Sequence, residues 1–256
     1  MTESSAQQSS SFDPSRVLIV IPSRFGSTRF PGKALADLAG KPLVVRVVEN
    51  TRRIVGAGTI VVATDDERIL QAVTDAGGQA EMTGDHDTGT DRIGEVVQRH
   101  DADLIVNLQG DEPLLDPADV DGLIAMMAAQ PKLDIGTCAH PFTSVEQWQD
   151  PNAVKVICDL TGKALYFSRA AIPGTFPGSK NNGHEVALRH VGIYAFRRQA
   201  LLRFLALERT PLEMSEGLEQ LRALENGLSI QVQRIARAPI GVDTPADLET
   251  VRRQWR

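Results

Sequence analysis

The chain has 256 residues, a length suited to one large α/β domain that buries most of its apolar surface. Its formal net charge of -6 argues against a general binder of nucleic-acid backbones. Its two cysteines, Cys138 and Cys158, have no CxxC spacing and support neither a disulfide framework nor a zinc site. The cysteine usage fits a reducing cytoplasm and the charge no nucleic-acid partner, and no apolar run approaches the roughly 20 residues that span a bilayer, so the expectation is a soluble, cytoplasmic protein with no membrane partner.

Residues 1–15, MTESSAQQSSSFDPS, are polar and read as a disordered tail ahead of a single domain over 16–256. VLIVI is the first predicted strand. It opens into IPSRFGSTRFPGK, a loop carrying Arg24, Arg29 and Lys33 among Gly26, Ser27, Thr28 and Gly32. The run 41–58 then places Leu43, Val47 and Ile54 on one helical face, with Pro42 suited to its start and Gly56 to its stop. TIVVAT is a second strand, DDERILQAVTDAGG a helix, DLIVNLQGDEP a strand and PADVDGLIAMMAAQ a helix. From about 131 to 200 the pattern changes: VKVICDLTGKALYFSRA reads as a hairpin turning at Thr161 and Gly162, and this span is expected as a small inserted β-rich lobe. PLEMSEGLEQLRALENG, LSIQVQRI and TPADLETVRRQW return to helix, strand and helix. Strands alternating with helices predict a Rossmann-like mixed, mostly parallel sheet.

In such a sheet, ligands gather beyond the carboxyl ends of the strands, where the first loop lies. Backbone N–H groups at Gly26, Ser27 and Thr28 suit phosphate oxygens, and the three cations neutralise their charge; the alternative is a solvated basic loop. The loop is neither a Walker A motif nor a GxGxxG fingerprint, which leaves ATP hydrolysis and dinucleotide binding unsupported. VNLQGDEP delivers Gln109 and Asp111 to the same edge. A strand-end carboxylate facing a phosphate loop suits Mg2+, a hard cation that takes oxygen ligands and bridges to phosphates. Asp111 also suits a turn before Pro113, and Asp243 in GVDTPADLE suits either a second metal carboxylate or an ordinary helix entry. Asp85-His86-Asp87 matches the DxD pattern of metal-dependent glycosyltransferases but lies in a loop before a helix.

Taken in order, PSRFGSTRFPGK, TGTDR, NLQGDEP, NAVKV with ALYFSRA, RHVGIYAF, PLEMSEGLEQLR and GVDTPADLE resemble the 3-deoxy-manno-octulosonate (Kdo) cytidylyltransferases over about residues 16 to 255. The resemblance implies a fold of the nucleotide-diphospho-sugar-transferase type, usually a homodimer, that joins CTP to Kdo, an acidic keto-sugar, with Mg2+ and release of pyrophosphate. It makes Pro22, Ser23, Arg24, Ser27, Arg29 and Lys33 a triphosphate loop, and Thr88, Gly89 and Arg92 a cytidine loop. Gln109 then lies between nucleotide and sugar, Asp111 and Asp243 hold the metal, and His190, Tyr194, Glu219 and Gln220 surround the sugar. Arg24, Lys33, Asp111 and Asp243 are the expected catalytic set. By pattern alone, Thr88 and Asp91 equally suit a helix cap, His190 and Tyr194 satisfied core groups, and Glu219 and Gln220 a solvated helix face. The alternatives within the class are cytidylyltransferases for an amino-substituted Kdo or a sialic acid. Outside it stand a glycosyltransferase and a non-catalytic nucleotide-binding module.

Overall fold

Five successive apolar residues form a strand that is buried on both faces, β1 (Val17–Pro22), and the period of two sends them to opposite sides. Val17, Ile19 and Ile21 join one core cluster, Leu18 and Val20 the other. This is a computed structural model, and it describes residues 12–27, 29–179 and 182–255. After β1 come the two-residue ribbon strands β2 (Asp37–Leu38) and β3 (Lys41–Pro42), α1 (Leu43–Thr51), β4 (Thr59–Thr64), α2 (Glu67–Asp75), β5 (Ala80–Met82), α3 (Gly89–Val97) and β6 (Leu104–Asn107). Next are α4 (Pro117–Ala129), β7 (Ile135–Pro141), α5 (Val145–Gln149), β8 (Lys155–Cys158), β9 (Ala164–Ser168), α6 (Gly183–Val186) and β10 (Leu188–Arg197). The chain finishes with α7 (Arg198–Leu205), α8 (Pro211–Glu216), α9 (Gln220–Glu225), β11 (Ile230–Arg234) and α10 (Pro245–Gln254).

Among the described residues the main sheet has nine strands, ordered β11-β7-β10-β6-β1-β4-β5, with β8 paired to β10 and β9 to β8. On the main path β10 alone runs against its neighbours, antiparallel to both β6 and β7; the other pairs on that path are parallel. The fold is therefore the expected mixed, mostly parallel sheet. Helices on its two faces begin where short polar side chains satisfy the first backbone N–H groups: Asp66 for α2, Thr88 for α3, Asp116 for α4 and Thr244 for α10.

Several boundaries differ from the sequence reading. Within 131–200, β7 and β10 lie inside the main sheet, and the β8–β9 hairpin, with Gly162 in its turn at φ +86°, is what stands off the main path. The first long helix stops at Thr51, ahead of Gly56. The single helix expected over 211–227 is two short helices, because Gly217 turns the chain in the left-handed region at φ +61°. Of the tail, residues 1–11 lie outside the described residues. Residues 14–16 form one helical turn capped by Asp13, and Arg16 pairs with Asp101 and Asp103. Thr28, expected beside phosphate, also lies outside the described residues, as do Lys180 and Asn181. Among the described residues no helix is long and apolar enough to cross a membrane.

Candidate active site

The carboxyl ends of β1 and β6 open into two adjoining cavities. The first, about 440 Å³, is lined by Pro22, Ser23, Arg24, Ser27, Arg29 and Lys33 from the first loop, and by Thr88, Gly89 and Arg92 from the start of α3. Gln109, Gly110 and Asp111 from the end of β6, and Asp243 ahead of α10, close it. The second cavity, about 290 Å³, shares Gly89 and Gln109 with the first. Apolar side chains including Phe196, Phe204 and Leu218 form part of its wall, and Tyr194, Glu219 and Gln220 form another.

Backbone hydrogen bonds, one of them to β4, shape the first loop. Ser23 N donates to Ala63 O at 2.8 Å, and both Ser27 N and Gly32 N donate to Phe25 O at 3.0 and 3.1 Å. Gly32 sits at φ +70° with the Phe25 ring 3.1 Å from where a Cβ would stand, so a side chain there is strained twice over. The turn it permits starts the short helix at Lys33. Lys33 Nζ then donates to Asp111 Oδ2 at 2.5 Å, to Val242 O at 3.1 Å and to Asp243 Oδ1 at 3.2 Å. Arg29 reaches Asp243 from solvent at 3.0 Å. Val242 N donates to Asp111 O at 2.9 Å, which fixes the two carboxylate-bearing segments side by side. Gly110 is needed because a Cβ there would meet Pro22 O at 2.9 Å.

Arg92 is 3% exposed, and its guanidinium is committed to Asp65 at 2.6 Å and to Thr83. Asp65 in turn accepts from Phe25 N at 3.4 Å, so Arg92 braces the first loop as well as lining its cavity. Thr88 and Asp91 form the helix cap the pattern suited: Asp91 N donates to Thr88 Oγ1 at 3.1 Å. The cap leaves Gly89 at the mouth of both cavities. In the DxD triplet, His86 and Asp87 line the first cavity and Asp85 does not.

Beside the second cavity, a register shift in β10 between Val191 and Tyr194 turns the carbonyl of Gly192 toward Gln109, whose Nε2 donates to it at 2.9 Å. Tyr194 and the pair Glu219–Gln220 line the second cavity, the latter because the break at Gly217 swings the start of α9 inward. Burial pushes the Tyr194 hydroxyl and the Glu219 carboxyl above their ordinary ranges. Thr90 Oγ1 donates to Glu219 at 2.8 Å and tethers it. His190 lines neither cavity; it stands beside Tyr194, ring centroids 5.4 Å apart. Its Nε2 lies 3.0 Å from Thr137 Oγ1, whose proton goes to Ile193 O at 2.8 Å, so we assign Nε2 as the donor. Burial drives its imidazole pKa down to about 3. Thr90 and the apolar wall of Phe196 and Phe204 were not singled out from the sequence. Thr90 sits inside TGTDR, but its partner is set by the tertiary fold.

Residues 18–230 match the family model described as Cytidylyltransferase. The chain is 50% identical to the 3-deoxy-manno-octulosonate cytidylyltransferase of Geobacter sulfurreducens, over 92% of this chain and 97% of that protein. It is 44% identical to the Escherichia coli protein of the same name, over 93% and 95%. A solved structure of CMP:2-keto-3-deoxy-manno-octonic acid synthetase complexed with CTP is 43% identical and superposes at a TM-score of 0.89, covering 93% of this chain and 98% of that one. With its strand-end loop, paired carboxylates and adjoining cavities, the chain belongs to the cytidylyltransferase family, among the nucleotidyltransferases that act as 3-deoxy-manno-octulosonate cytidylyltransferases.

Proposed function

We propose that this protein transfers the cytidylyl group of CTP to the anomeric hydroxyl of Kdo, giving CMP-Kdo and pyrophosphate. The observation that carries the reading is the junction of the two cavities at Gly89 and Gln109: a polar, cation-lined space meets one with an apolar wall and several polar groups. A triphosphate suits the first, where Arg24, Arg29 and Lys33 supply positive charge. A polyhydroxylated sugar suits the second, where Glu219 and Gln220 offer hydrogen bonds beside aromatic surface. In the reaction the hydroxyl oxygen bonds to the α-phosphorus, the bond to pyrophosphate breaks and pyrophosphate leaves, and the hydroxyl proton passes to solvent water. Positioning and charge neutralisation supply most of the catalysis in such transfers, so the arrangement asks for cations more than for a strong base. We assign no general base.

Asp111 and Asp243 would hold Mg2+. The donor set fits, because Mg2+ takes one or two carboxylates and draws its other ligands from water and substrate phosphates. Among the described residues no group of three or more His, Cys, Asp or Glu is placed to hold a metal ion, so the two carboxylates would need ligands from water and phosphate, and the Lys33 ammonium sits within hydrogen-bond distance of both. Bound there, Mg2+ supplies charge neutralisation for the triphosphate and acidifies a hydroxyl near it. The same reading includes a homodimer, supported by the exposed apolar Leu165 on β9, a strand that among the described residues pairs only with β8.

The test is pyrophosphate release with CTP, UTP, ATP or GTP against Kdo, its amino analogue, a sialic acid and a neutral sugar 1-phosphate. We expect release with CTP and Kdo. Preference for a sialic acid, or robust release with the sugar 1-phosphate, overturns the assignment.

A further inference from the structure

The second cavity contains a polar side chain that the proposed chemistry leaves without a role. β6 reads Leu104, Ile105, Val106, Asn107. Its alternation puts Asn107 on the side of Ile105, toward the cluster that includes Val20, Phe196 and Phe204, where an apolar residue is the ordinary choice. Asn107 is 4% exposed, lines the second cavity, and has its Oδ1 buried with no hydrogen-bond partner among the described residues. Buried carboxamides almost always find partners, because an unpaired one has given up its bonds to water without replacement.

Two polar neighbours in the cavity are already engaged. Gln109 Nε2 donates to Gly192 O, and Glu219 accepts from Thr90. Cross-strand neighbours Val20 and Tyr194 flank Asn107 in the sheet. The side chain that lines this cavity thus carries an acceptor with no protein partner, and a hydroxyl brought by the ligand can supply the missing donor. A carboxylate cannot serve, since it has no proton to give.

We propose that Asn107 is a specificity-determining residue whose carboxamide hydrogen-bonds a hydroxyl of the acidic sugar; this rests on the second cavity being the sugar site. A cavity that holds a buried carboxamide for that hydroxyl rejects an analogue lacking it, because the amide is then left unpaired.

The experiment uses the full chain and follows pyrophosphate release with saturating CTP and varied Kdo. Asn107→Ala raises the KM for Kdo about tenfold, the scale of one buried hydrogen bond, and leaves the KM for CTP within about twofold. Among monodeoxy analogues of Kdo, the wild-type protein penalises the one lacking the contacted hydroxyl, and Asn107→Ala no longer separates that analogue from Kdo. Asn107→Leu, similar in volume, melts at the same or a higher temperature, since it removes an unpartnered amide while it weakens sugar binding. Where Asn107→Ala fails to fold, Asn107→Leu and Asn107→Ser are read against the same analogues. An unchanged KM for Kdo with only a lowered melting temperature assigns Asn107 to a trapped water and overturns the proposal. So does a deoxy penalty that persists in the variants. Absence of release by the wild-type protein with CTP and Kdo overturns the sugar reading itself, and this assignment with it, so the two failures are distinct.

Discussion

Lys33 Nζ lies 2.5 Å from Asp111 Oδ2 and also reaches Asp243, so one ammonium joins carboxylates that arrive from the end of β6 and from the entry to α10. Lys33 is the most deeply placed cation of the first loop, its side chain 18% exposed against 68% for Arg29. A charge so placed gains most from oxygens that become more negative during transfer. Lys33→Met is expected to lower kcat on the order of 100-fold with a smaller change in the KM for CTP. A change confined to KM would make Lys33 a uniform binder of the nucleotide.

Asp111→Asn and Asp243→Asn are each expected to lower turnover on the order of 100-fold or more, with circular dichroism unchanged. EDTA should silence the wild-type protein, and added Mg2+ should restore it. Wild-type rates in either variant would remove that carboxylate from the metal site.

The His190 imidazole is held neutral by burial, its pKa moved from 6.5 down to about 3. The unfolded chain therefore binds a proton that the folded chain refuses between those values. The contribution of His190 to stability is fully present above about pH 6.5 and is lost as pH falls toward 3, with a slope of up to about 1.4 kcal/mol per pH unit. Urea unfolding at a series of pH values should show this slope, and His190→Gln should flatten it. An equal slope in the variant would assign the acid sensitivity to other groups.

Glu213 is 1% exposed, and Arg222 meets it through two bonds, Nε to Oε2 at 2.8 Å and Nη2 to Oε1 at 2.5 Å. Burial alone would raise the Glu213 pKa, but Arg222 holds it below the ordinary range. The pair locks α8 against α9, and thereby the turn that carries Glu219 and Gln220. Arg222→Met should cost about 3–5 kcal/mol, because it strands a buried charge, whereas Glu213→Leu with Arg222→Met should recover much of the loss. Thermal melting checks both, and the single variant should also raise the KM for the sugar.

Local pattern was enough to read β1, β4 and β6 and the helices α2, α4 and α10, since alternation, helical periodicity and capping residues act within a few positions of one another. The position of the first loop followed too, because α/β connectivity puts it beyond a strand's carboxyl end. Pattern could not say that β10 would enter the sheet between β6 and β7, nor that its irregularity would turn Gly192 toward Gln109. It read one helix where Gly217 makes two, and so left Glu219 and Gln220 on a solvated face. His190 looked equivalent to Tyr194 along RHVGIYAF, yet Tyr194 lines the second cavity and His190 does not. Asn107 carried no signal beyond being the polar end of an apolar strand. The physical reason is common to all four: whether a polar side chain is solvated, satisfied or left waiting for a ligand depends on partners far away in the chain. Those partners are chosen by strand order and packing, which only the tertiary structure decides.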